Sequence, residues 1–317
     1  MDRQRIFITG ASGCIGQYIV EALAQQSQHE LFLLVRNPDK LAIDDSMRPG
    51  IHILQGDLQQ INECADLLAT MDTAILTAAA WGDPAITFDI NVTKTLALME
   101  LLDVDRCQQV IYFSTASLLG HDNRPLHEAG TIGTDYIRTK YICHQRLSDL
   151  AIAPKITTVY PTLVFGGDET KPYSHLSGGL ADVMKWVWLL RFFKVDGSFH
   201  FSHAKDIAQV IAHLVDHSPQ PGQSRDLVIG NPAITANEAI QQLCAYFHQR
   251  IYIQVPLMPL AEVIIQLFRI QMAEWDRFCM DYRHFSYTNP LSPATFGEWV
   301  YCESVMDLMK AHNIPSR

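Results

Sequence analysis

The sequence contains no run of lysine and arginine, and positive charge is scarce throughout. Its 24 Lys and Arg residues are outnumbered by 34 Asp and Glu residues, which gives a formal net charge of -10 and a pI of about 5.7. Proteins that bind nucleic acid need cations clustered against the phosphate backbone. This composition argues against nucleic acid as the main partner, although a phosphorylated small molecule can still bind through local features.

Paired cysteines are also missing. The seven cysteines are dispersed and no two of them form a Cys-x-x-Cys pair, and the histidines show no metal-ligand spacing. An odd, scattered set is typical of reduced thiols rather than of a disulfide framework or a zinc site. We therefore expect no bound metal and a cytoplasmic protein. The first β-rich run begins at Arg5, so we also expect no signal peptide.

No apolar stretch is long enough to span a membrane, which takes about 20 apolar residues. Val183–Phe193 is too short and contains two cations, and Leu257–Met272 is interrupted by Glu262 and Arg269. We expect amphipathic helices packed on the protein, with contact to a membrane surface as the alternative. We expect the large apolar residues of these stretches to lie in the core rather than in a ligand pocket. They are Trp186, Trp188, Leu189, Phe192, Phe193, Ile264, Ile265, Leu267 and Phe268.

Short β-rich runs alternate with helical patterns as far as Tyr160. This alternation predicts an α/β fold in which helices cover both faces of a parallel sheet. We predict a nucleotide-binding domain over residues 1–165 and a smaller lobe over 166–317, interleaved with the last sheet elements. The predicted strands are Arg5–Thr9, Leu31–Val35, Ile51–Gln55, Thr73–Thr77, Val110–Ser114, Ile156–Tyr160 and Asp226–Ile229.

A glycine-rich turn follows the first predicted strand directly. Its GxxGxxG spacing differs from the usual GxGxxG dinucleotide fingerprint, but it lies between a strand and an amphipathic helix. Such a turn lets the backbone approach a pyrophosphate, which then lies on free N–H groups at the positive end of the helix. The predicted phosphate-binding residues are Gly10, Ser12, Gly13, Cys14, Ile15 and Gly16.

The end of the second predicted strand favours NADP over NAD. An acidic residue there would bind a ribose 2′-hydroxyl and repel a 2′-phosphate, but this chain has Arg36. A guanidinium can pair with a 2′-phosphate and stack on adenine. Asp57, after the third strand, could accept a hydrogen bond from the adenine amino group or serve as an ordinary helix cap.

Tyr136 and Lys140 stand four residues apart, on one face of a predicted helix. A free tyrosine titrates near pH 10, and a nearby lysine cation would stabilise its phenolate. Thr115 follows the fifth predicted strand and would meet this pair at the sheet edge where ligands bind. There its hydroxyl could hydrogen-bond a reacting oxygen.

Together these features resemble the extended short-chain dehydrogenase/reductases, the NAD(P)-dependent epimerase/dehydratase family, across most of the chain. The resemblance implies a Rossmann-type doubly wound parallel sheet with a smaller C-terminal substrate-binding lobe, and a possible homodimer. It implies Tyr136 as acid/base, Lys140 as cofactor anchor and Thr115 as their hydroxyl partner. Further cofactor contacts are implied at Leu58, Thr77, Ala78, Ala79, Asn91, Pro161 and Leu163.

Three departures from the family pattern limit the function. Ala116 and Ser117 replace the Asp-Glu pair of sugar-nucleotide 4,6-dehydratases, so elimination of water by that mechanism lacks its acid and base. Tyr160 replaces a common arginine near the sixth strand, which leaves the nicotinamide contacts less defined. Trp81 stands where a small or polar residue is usual, and it either lines the substrate site or packs under its loop.

Three functions remain open for a small-molecule substrate. The first is an NADP-dependent oxidoreductase that transfers a hydride between nicotinamide and a carbonyl or alcohol. The second is a nucleotide-sugar epimerase that uses transient oxidation, for which Lys185 and Arg191 could hold a diphosphate. The third is a non-catalytic NADP-binding partner protein, against which the intact set Thr115, Tyr136 and Lys140 argues.

Overall fold

A computed structural model describes residues 3–43, 48–268 and 271–316 of the chain. Arg269 therefore lies outside the described residues. The β-strands are β1 (Arg5–Thr9), β2 (Glu30–Val35), β3 (Ile51–Gln55), β4 (Thr73–Leu76), β5 (Gln109–Phe113), β6 (Ile156–Pro161), β7 (Leu163–Phe165), β8 (Phe193–Lys194), β9 (Ser198–Phe199), β10 (Phe201–His203), β11 (Asp226–Ile229), β12 (Ile234–Thr235), β13 (Val255–Pro256) and β14 (His284–Phe285).

Helices connect most of these strands, and short 3-10 turns accompany them. The α-helices are α1 (Cys14–Gln26), α2 (Ala65–Leu68), α3 (Pro84–Phe88), α4 (Thr95–Glu100), α5 (His127–Thr131), α6 (Asp135–Arg146), α7 (His175–Met184), α8 (Val187–Leu190), α9 (Ala204–Asp216), α10 (Ala236–Tyr246), α11 (Leu257–Phe268), α12 (Glu274–Tyr282) and α13 (Val305–Ala311). A π-helical segment, Asp89–Lys94, joins α3 to α4.

The predicted parallel sheet is confirmed. Seven strands pair in the order β11-β6-β5-β4-β1-β2-β3, and every neighbouring pair is parallel. The order reverses between β1 and β4, which creates a crevice at the carboxyl ends of these two strands. All seven predicted strands are present, with ends that differ by one residue at most.

Strands β1 and β2 are buried on both faces, which explains why their central residues form apolar runs rather than an alternating pattern. In β1, Ile6 and Ile8 face the core beneath α1 and α9, whereas Phe7 faces the core on the opposite side. Successive side chains of a strand point to opposite faces, so one apolar run supplies both cores. This rigid sheet fixes where the loops at its carboxyl edge lie.

The C-terminal lobe has its own core. Val187, Leu243 and Leu308 pack together with Phe201 in this cluster. Helix α10 begins with a capping box, since the Thr235 side chain accepts from the N–H of Glu238 and the Glu238 carboxylate accepts from the backbone N–H of Thr235. Between the helices lie a short three-stranded sheet, β12-β9-β14, and a strand pair, β13-β8.

The expected core position of the lobe's aromatic residues is wrong for several of them. Trp186, Trp188, Phe192 and Leu267 are exposed, and Leu189, Phe193 and Ile265 are half-buried. Helix α8 is a single turn that directs only Val187 into the lobe core, so the neighbouring side chains face outward. The side chains of Ile264 and Phe268 lie outside those that the structure describes.

The sequence predicts neither disulfide bonds nor a membrane-spanning helix. All seven cysteines belong to the described residues and are free thiols. Among the described helices, none combines the length and the apolar character needed to cross a bilayer.

Candidate active site

The glycine turn after β1 is held by its own close packing. Gly10 has a φ of +70°, a left-handed conformation that glycine adopts without steric cost. The backbone N–H of Gly13 donates to the carbonyl of Gly10 over 2.9 Å. A Cβ atom added to Gly16 would overlap that same carbonyl oxygen. The turn therefore requires glycine at positions 10 and 16 to bring helix α1 against β1.

The turn and the start of α1 fit the phosphates of a dinucleotide. Gly13 is the N-cap of α1, no side chain of the described residues caps the helix, and its first turn carries no acidic residue. The first N–H groups of a helix have no partner within it, and they form the positive end of its dipole. A Cβ atom at Gly13 would meet only the Gly10 carbonyl oxygen, at 3.2 Å. Gly13 thus leaves room for a pyrophosphate on these N–H groups.

An open cleft of about 1370 Å³ extends from this turn along the carboxyl edge of the sheet. It reaches residues of the C-terminal lobe, including Tyr173 and His175. The structure brings almost all of the sequence-predicted site residues together in its wall: Gly10, Ser12, Gly13, Cys14, Ile15, Gly16, Arg36, Asp57, Leu58, Thr77, Ala78, Ala79, Thr115, Tyr136, Lys140, Pro161 and Leu163.

Asn91 is the predicted cofactor residue that lies behind this wall. Its side chain is fully buried, accepts from the backbone N–H of Ala80 over 2.8 Å and donates to the Ala80 carbonyl over 3.1 Å. Its amide also donates to the Thr139 hydroxyl over 3.1 Å. Asn91 therefore fastens the loop after β4 to helix α6 and positions the cleft wall.

Two cations line the part of the cleft beside the end of β2. Arg36 directly follows β2 and is exposed at the mouth of the cleft, and Lys40 is a second exposed cation in the same wall. Asp57 also lines the cleft, while its carboxylate caps the following 3-10 turn by accepting from the N–H of Gln59 over 2.9 Å. The helix-cap alternative for Asp57 is thus realised in the structure, and its position in the wall is retained.

Helix α6 places Tyr136 and Lys140 one turn apart beside the end of β5. Lys140 is 1% exposed, its ammonium donates to the carbonyl of Phe113 over 2.7 Å, and it lies 5.9 Å from the Tyr136 ring centroid. Thr115 follows β5, and its Oγ1 accepts from the N–H of Ser117 over 3.3 Å. Because that oxygen acts as an acceptor, the Thr115 hydroxyl proton can be donated into the cleft.

Burial sets the protonation of this pair. It lowers the pKa of the Lys140 ammonium to about 8, and it raises the pKa of the Tyr136 phenol above its ordinary value of 10. Desolvation disfavours the charged form of each group, which has opposite effects on an acid and on a base. At neutral pH the site therefore holds a protonated phenol beside an ammonium group.

Trp81 lines the cleft, which decides between the two interpretations of this residue. Its ring stacks on that of Tyr136, with centroids 3.6 Å apart and planes 11° from parallel. The ring of His175, from the C-terminal lobe, lies beside the indole, with ring centroids 5.3 Å apart. Trp81 remains 55% exposed, so it is a wall of the cleft rather than a residue packed under a loop.

Several lining residues escaped the sequence reasoning. Lys40 stands four residues after Arg36, a spacing that could have suggested a second phosphate contact. Ser114 lines the cleft, and its buried hydroxyl has no hydrogen-bond partner among the described residues. Tyr173 and His175 come from the irregular segment after Tyr160, where no motif marks them. Lys185 and Arg191, which the epimerase hypothesis assigns to a substrate diphosphate, are not among the described residues that line the cleft.

The histidines near the substrate edge have structural partners. His200 Nδ1 lies 2.7 Å from the carbonyl oxygen of Asn231, and its Nε2 lies 2.9 Å from the N–H of Tyr287. His203 caps helix α9 by accepting from the N–H of Lys205 over 3.1 Å. Within the described residues, no cluster of His, Cys, Asp and Glu could hold a metal ion.

Curated relatives resemble part of this chain. Sterol demethylase protein B of Methylococcus capsulatus is 26% identical over 214 residues, which cover 64% of this chain and 63% of that protein. A 3 beta-hydroxysteroid dehydrogenase/Delta 5→4-isomerase of Mycobacterium tuberculosis is 24% identical over 239 residues, which cover 69% of this chain and 63% of the relative. The chain thus spans less than two thirds of the length of both.

A solved structure supports the same fold over nearly the whole chain. The crystal structure of gox2253 aligns with a TM-score of 0.69 and 19% identity, covering 98% of each chain. The sequence profile of one family, described as NAD dependent epimerase/dehydratase, matches residues 6–230. This match covers the glycine turn, the Thr115–Tyr136–Lys140 set and the returning strand β11, and on it we conclude that the chain belongs to the NAD dependent epimerase/dehydratase family.

Proposed function

We propose that this chain is an NADP-dependent oxidoreductase that interconverts a carbonyl and an alcohol, with Tyr136 as the acid/base. One observation carries the proposal: Thr115, Tyr136 and Lys140 line the same cleft as the glycine turn. A nicotinamide cofactor held along this cleft would supply or accept the hydride. The cofactor phosphates would lie on the N–H groups that open α1, as the bare helix start and the small Gly13 allow.

The chain's own residues handle the proton. In the reducing direction, Tyr136 donates its phenolic proton to the substrate oxygen as that oxygen gains negative charge. Thr115 donates a hydrogen bond to the same oxygen. Lys140, held by the Phe113 carbonyl, stabilises the phenolate that remains through its positive charge. The raised pKa of Tyr136 supports the protonated starting state.

The preference for NADP rests on the charge at the end of β2. Arg36 and Lys40 line this part of the cleft, whereas an enzyme that selects NAD places a carboxylate there to bind the ribose hydroxyls. A guanidinium can make two parallel hydrogen bonds to a phosphate, and an ammonium adds a point charge. Both groups favour a 2′-phosphate over a 2′-hydroxyl.

We further propose an apolar substrate. Trp81, Tyr173 and Leu176 form the exposed wall beyond Tyr136, and all three offer apolar surface to the cleft. The names of the two curated relatives refer to sterols or steroids, which supports a substrate of this character. A nucleotide sugar would need cations for its diphosphate on this side, and Lys185 and Arg191 lie elsewhere.

Turnover by wild type and Tyr136→Phe tests the proposal. Purified protein with NADPH is assayed against a panel of apolar ketones and aldehydes, and cofactor binding is measured separately by calorimetry. We expect Tyr136→Phe to lower turnover by about 10²–10⁴-fold, because the acid is lost, with little change in NADPH affinity. Equal turnover by both proteins would overturn the assignment of Tyr136. If only nucleotide sugars raise the melting temperature and no carbonyl compound is reduced, the epimerase hypothesis replaces this one.

A further inference from the structure

Large apolar side chains are exposed on the C-terminal lobe. They belong to two segments, 185–194 and 250–260, which we call the lobe surface. Trp186 is 58% exposed, Trp188 52% and Ile253 78%. Soluble proteins rarely leave large apolar groups together in water unless the patch meets a partner. The other exposed apolar members of the lobe surface are Phe192, Tyr252, Val255 and Leu260.

The two segments are joined in the fold although they are distant in the chain. Strands β8 and β13 pair in parallel, with Phe193 opposite Val255. The N–H of Val255 donates to the carbonyl of Phe192 over 2.8 Å. Arg191 donates from Nη1 to the Gln249 side chain over 3.1 Å. The segment that carries the exposed tryptophans is therefore joined to the segment that carries the exposed residues Tyr252, Ile253 and Val255.

The outward direction of the tryptophans is a consequence of the fold. Val187 is 3% exposed and packs in the lobe core with Leu243 and Leu308. With Val187 directed inward, Trp186 and Trp188 on either side of it are directed outward. Each indole also carries one polar N–H, so its large apolar ring is suited to a boundary between water and hydrocarbon.

The lobe surface is positively charged in an acidic protein. The two segments contain Lys185, Arg191, Lys194 and Arg250 and no acidic residue, whereas the whole chain has a net charge of -10. Lys194 and Arg250 are exposed. A mixture of tryptophan, aliphatic side chains and cations matches the headgroup region of a bilayer that contains anionic lipid.

Three acidic residues near the lobe surface pair with cations, one of which, Lys185, belongs to the surface itself. Asp182 pairs with Lys185 over 2.7 Å. Asp196 pairs with Arg283 over 2.8 Å. Farther along, Glu262 lies 3.1 Å from the guanidinium of Arg277. These pairs reduce the repulsion that a negatively charged membrane would otherwise meet at the edge of the surface.

We infer that the lobe surface binds the face of a lipid bilayer that carries anionic headgroups. Helix α7 connects this surface to the cleft, since His175 and Leu176 at its start line the cleft and Lys185 follows its end. An apolar substrate dissolved in the bilayer would thus have a short path to Tyr136. Membrane binding itself does not depend on the proposed reaction and can be tested without substrate.

Sedimentation with lipid vesicles tests this inference on the whole chain. Vesicles of phosphatidylcholine alone are compared with vesicles of phosphatidylcholine and phosphatidylglycerol. We expect binding to the mixed vesicles, and a loss of about a hundredfold in the Trp186→Ala/Trp188→Ala double variant, because each indole removed from water contributes roughly tenfold or more. Lys185→Gln/Lys194→Gln should weaken binding to the mixed vesicles only, by about tenfold or more.

Trp299→Ala is the matched control, because Trp299 is 70% exposed but lies outside the lobe surface. It should bind vesicles as wild type does, and all variants should keep the wild-type melting temperature and NADPH affinity. If the wild type binds neither kind of vesicle, the inference is overturned. It is also overturned if the double tryptophan variant binds the mixed vesicles as tightly as the wild type does. A lipid-free dimer that the double variant dissociates, without vesicle binding, would assign the surface to a second copy of the chain.

Discussion

Arg36→Ala should weaken NADPH binding and leave NADH binding nearly unchanged. Arg36 follows the buried strand residue Val35, and its own side chain is exposed at the cleft mouth. Its removal takes away no core contact, so the fold and the glycine turn should be preserved. Any loss of affinity that is specific to NADPH then reports on the 2′-phosphate alone, since the two cofactors are otherwise identical.

The size of the effect follows from the exposure of the guanidinium. A hydrogen bond that involves a charged group contributes about 1.5–3 kcal/mol, but solvent screening reduces exposed ion pairs toward about 1 kcal/mol. We therefore expect a loss of about 1–2 kcal/mol, or roughly 5- to 30-fold in Kd. Lys40→Ala, which removes an exposed point charge, should cost about 0.5–1 kcal/mol.

Calorimetric titration of both cofactors, at low and at high salt, measures these changes. The NADPH preference of the wild type should shrink in Arg36→Ala, and it should also shrink with added salt because exposed charges are screened. Equal weakening of NADPH and NADH would show that Arg36 acts on the adenine or the fold rather than on the phosphate. An unchanged NADPH affinity, or a wild type that prefers NADH, would refute the NADP assignment.

The glycine turn and the acid/base pair give two further predictions. Gly16→Ala should lower the melting temperature strongly, because its methyl group would overlap the Gly10 carbonyl oxygen. Gly13→Ala should lower the melting temperature little and weaken the binding of both NADPH and NADH. Thermal unfolding and calorimetry separate the two effects, and similar melting temperatures for the two variants would contradict the packing argument. For the pH dependence, reduction requires protonated Tyr136 and protonated Lys140. Burial lowers the pKa of Lys140 to about 8, so kcat/KM for reduction should be constant near neutral pH and fall as pH rises through that value. A profile that stays flat well above it would show that the charge of Lys140 is not needed.

The glycine turn and its place at the sheet edge could be predicted from the sequence because their determinants are local. One continuous segment supplies β1, the glycine turn and α1, and the steric need for Gly10 and Gly16 arises within it. The buried strands are equally readable, since burial on both faces of the sheet leaves apolar runs such as Ile6–Ile8 in β1 and Leu31–Val35 in β2. Lys140 followed from its spacing to Tyr136 on one helix.

Residues whose position depends on distant contacts could not be predicted in this way. Asn91 matches a family position, but its partners Ala80 and Thr139 belong to other elements, and only the fold shows that it fastens the wall. Trp186 and Trp188 have the spacing and the composition of a core segment. Their exposure results from the single turn of α8 around Val187, which the sequence pattern does not reveal.

The same distinction explains why the family identifies the cofactor chemistry more sharply than the substrate. The phosphate turn is built from neighbouring residues, so its chemistry survives wherever the strand–turn–helix unit is kept. The proposed substrate side combines Trp81 after β4, Tyr136 on α6 and His175 on α7. The stacking of Trp81 on Tyr136 at 3.6 Å arises only when the segments that carry them meet. A change of substrate therefore needs changes in loops and lobe but none in the turn. For this chain, the aromatic wall beside Tyr136, rather than the glycine motif, should guide the choice of compounds to be tested.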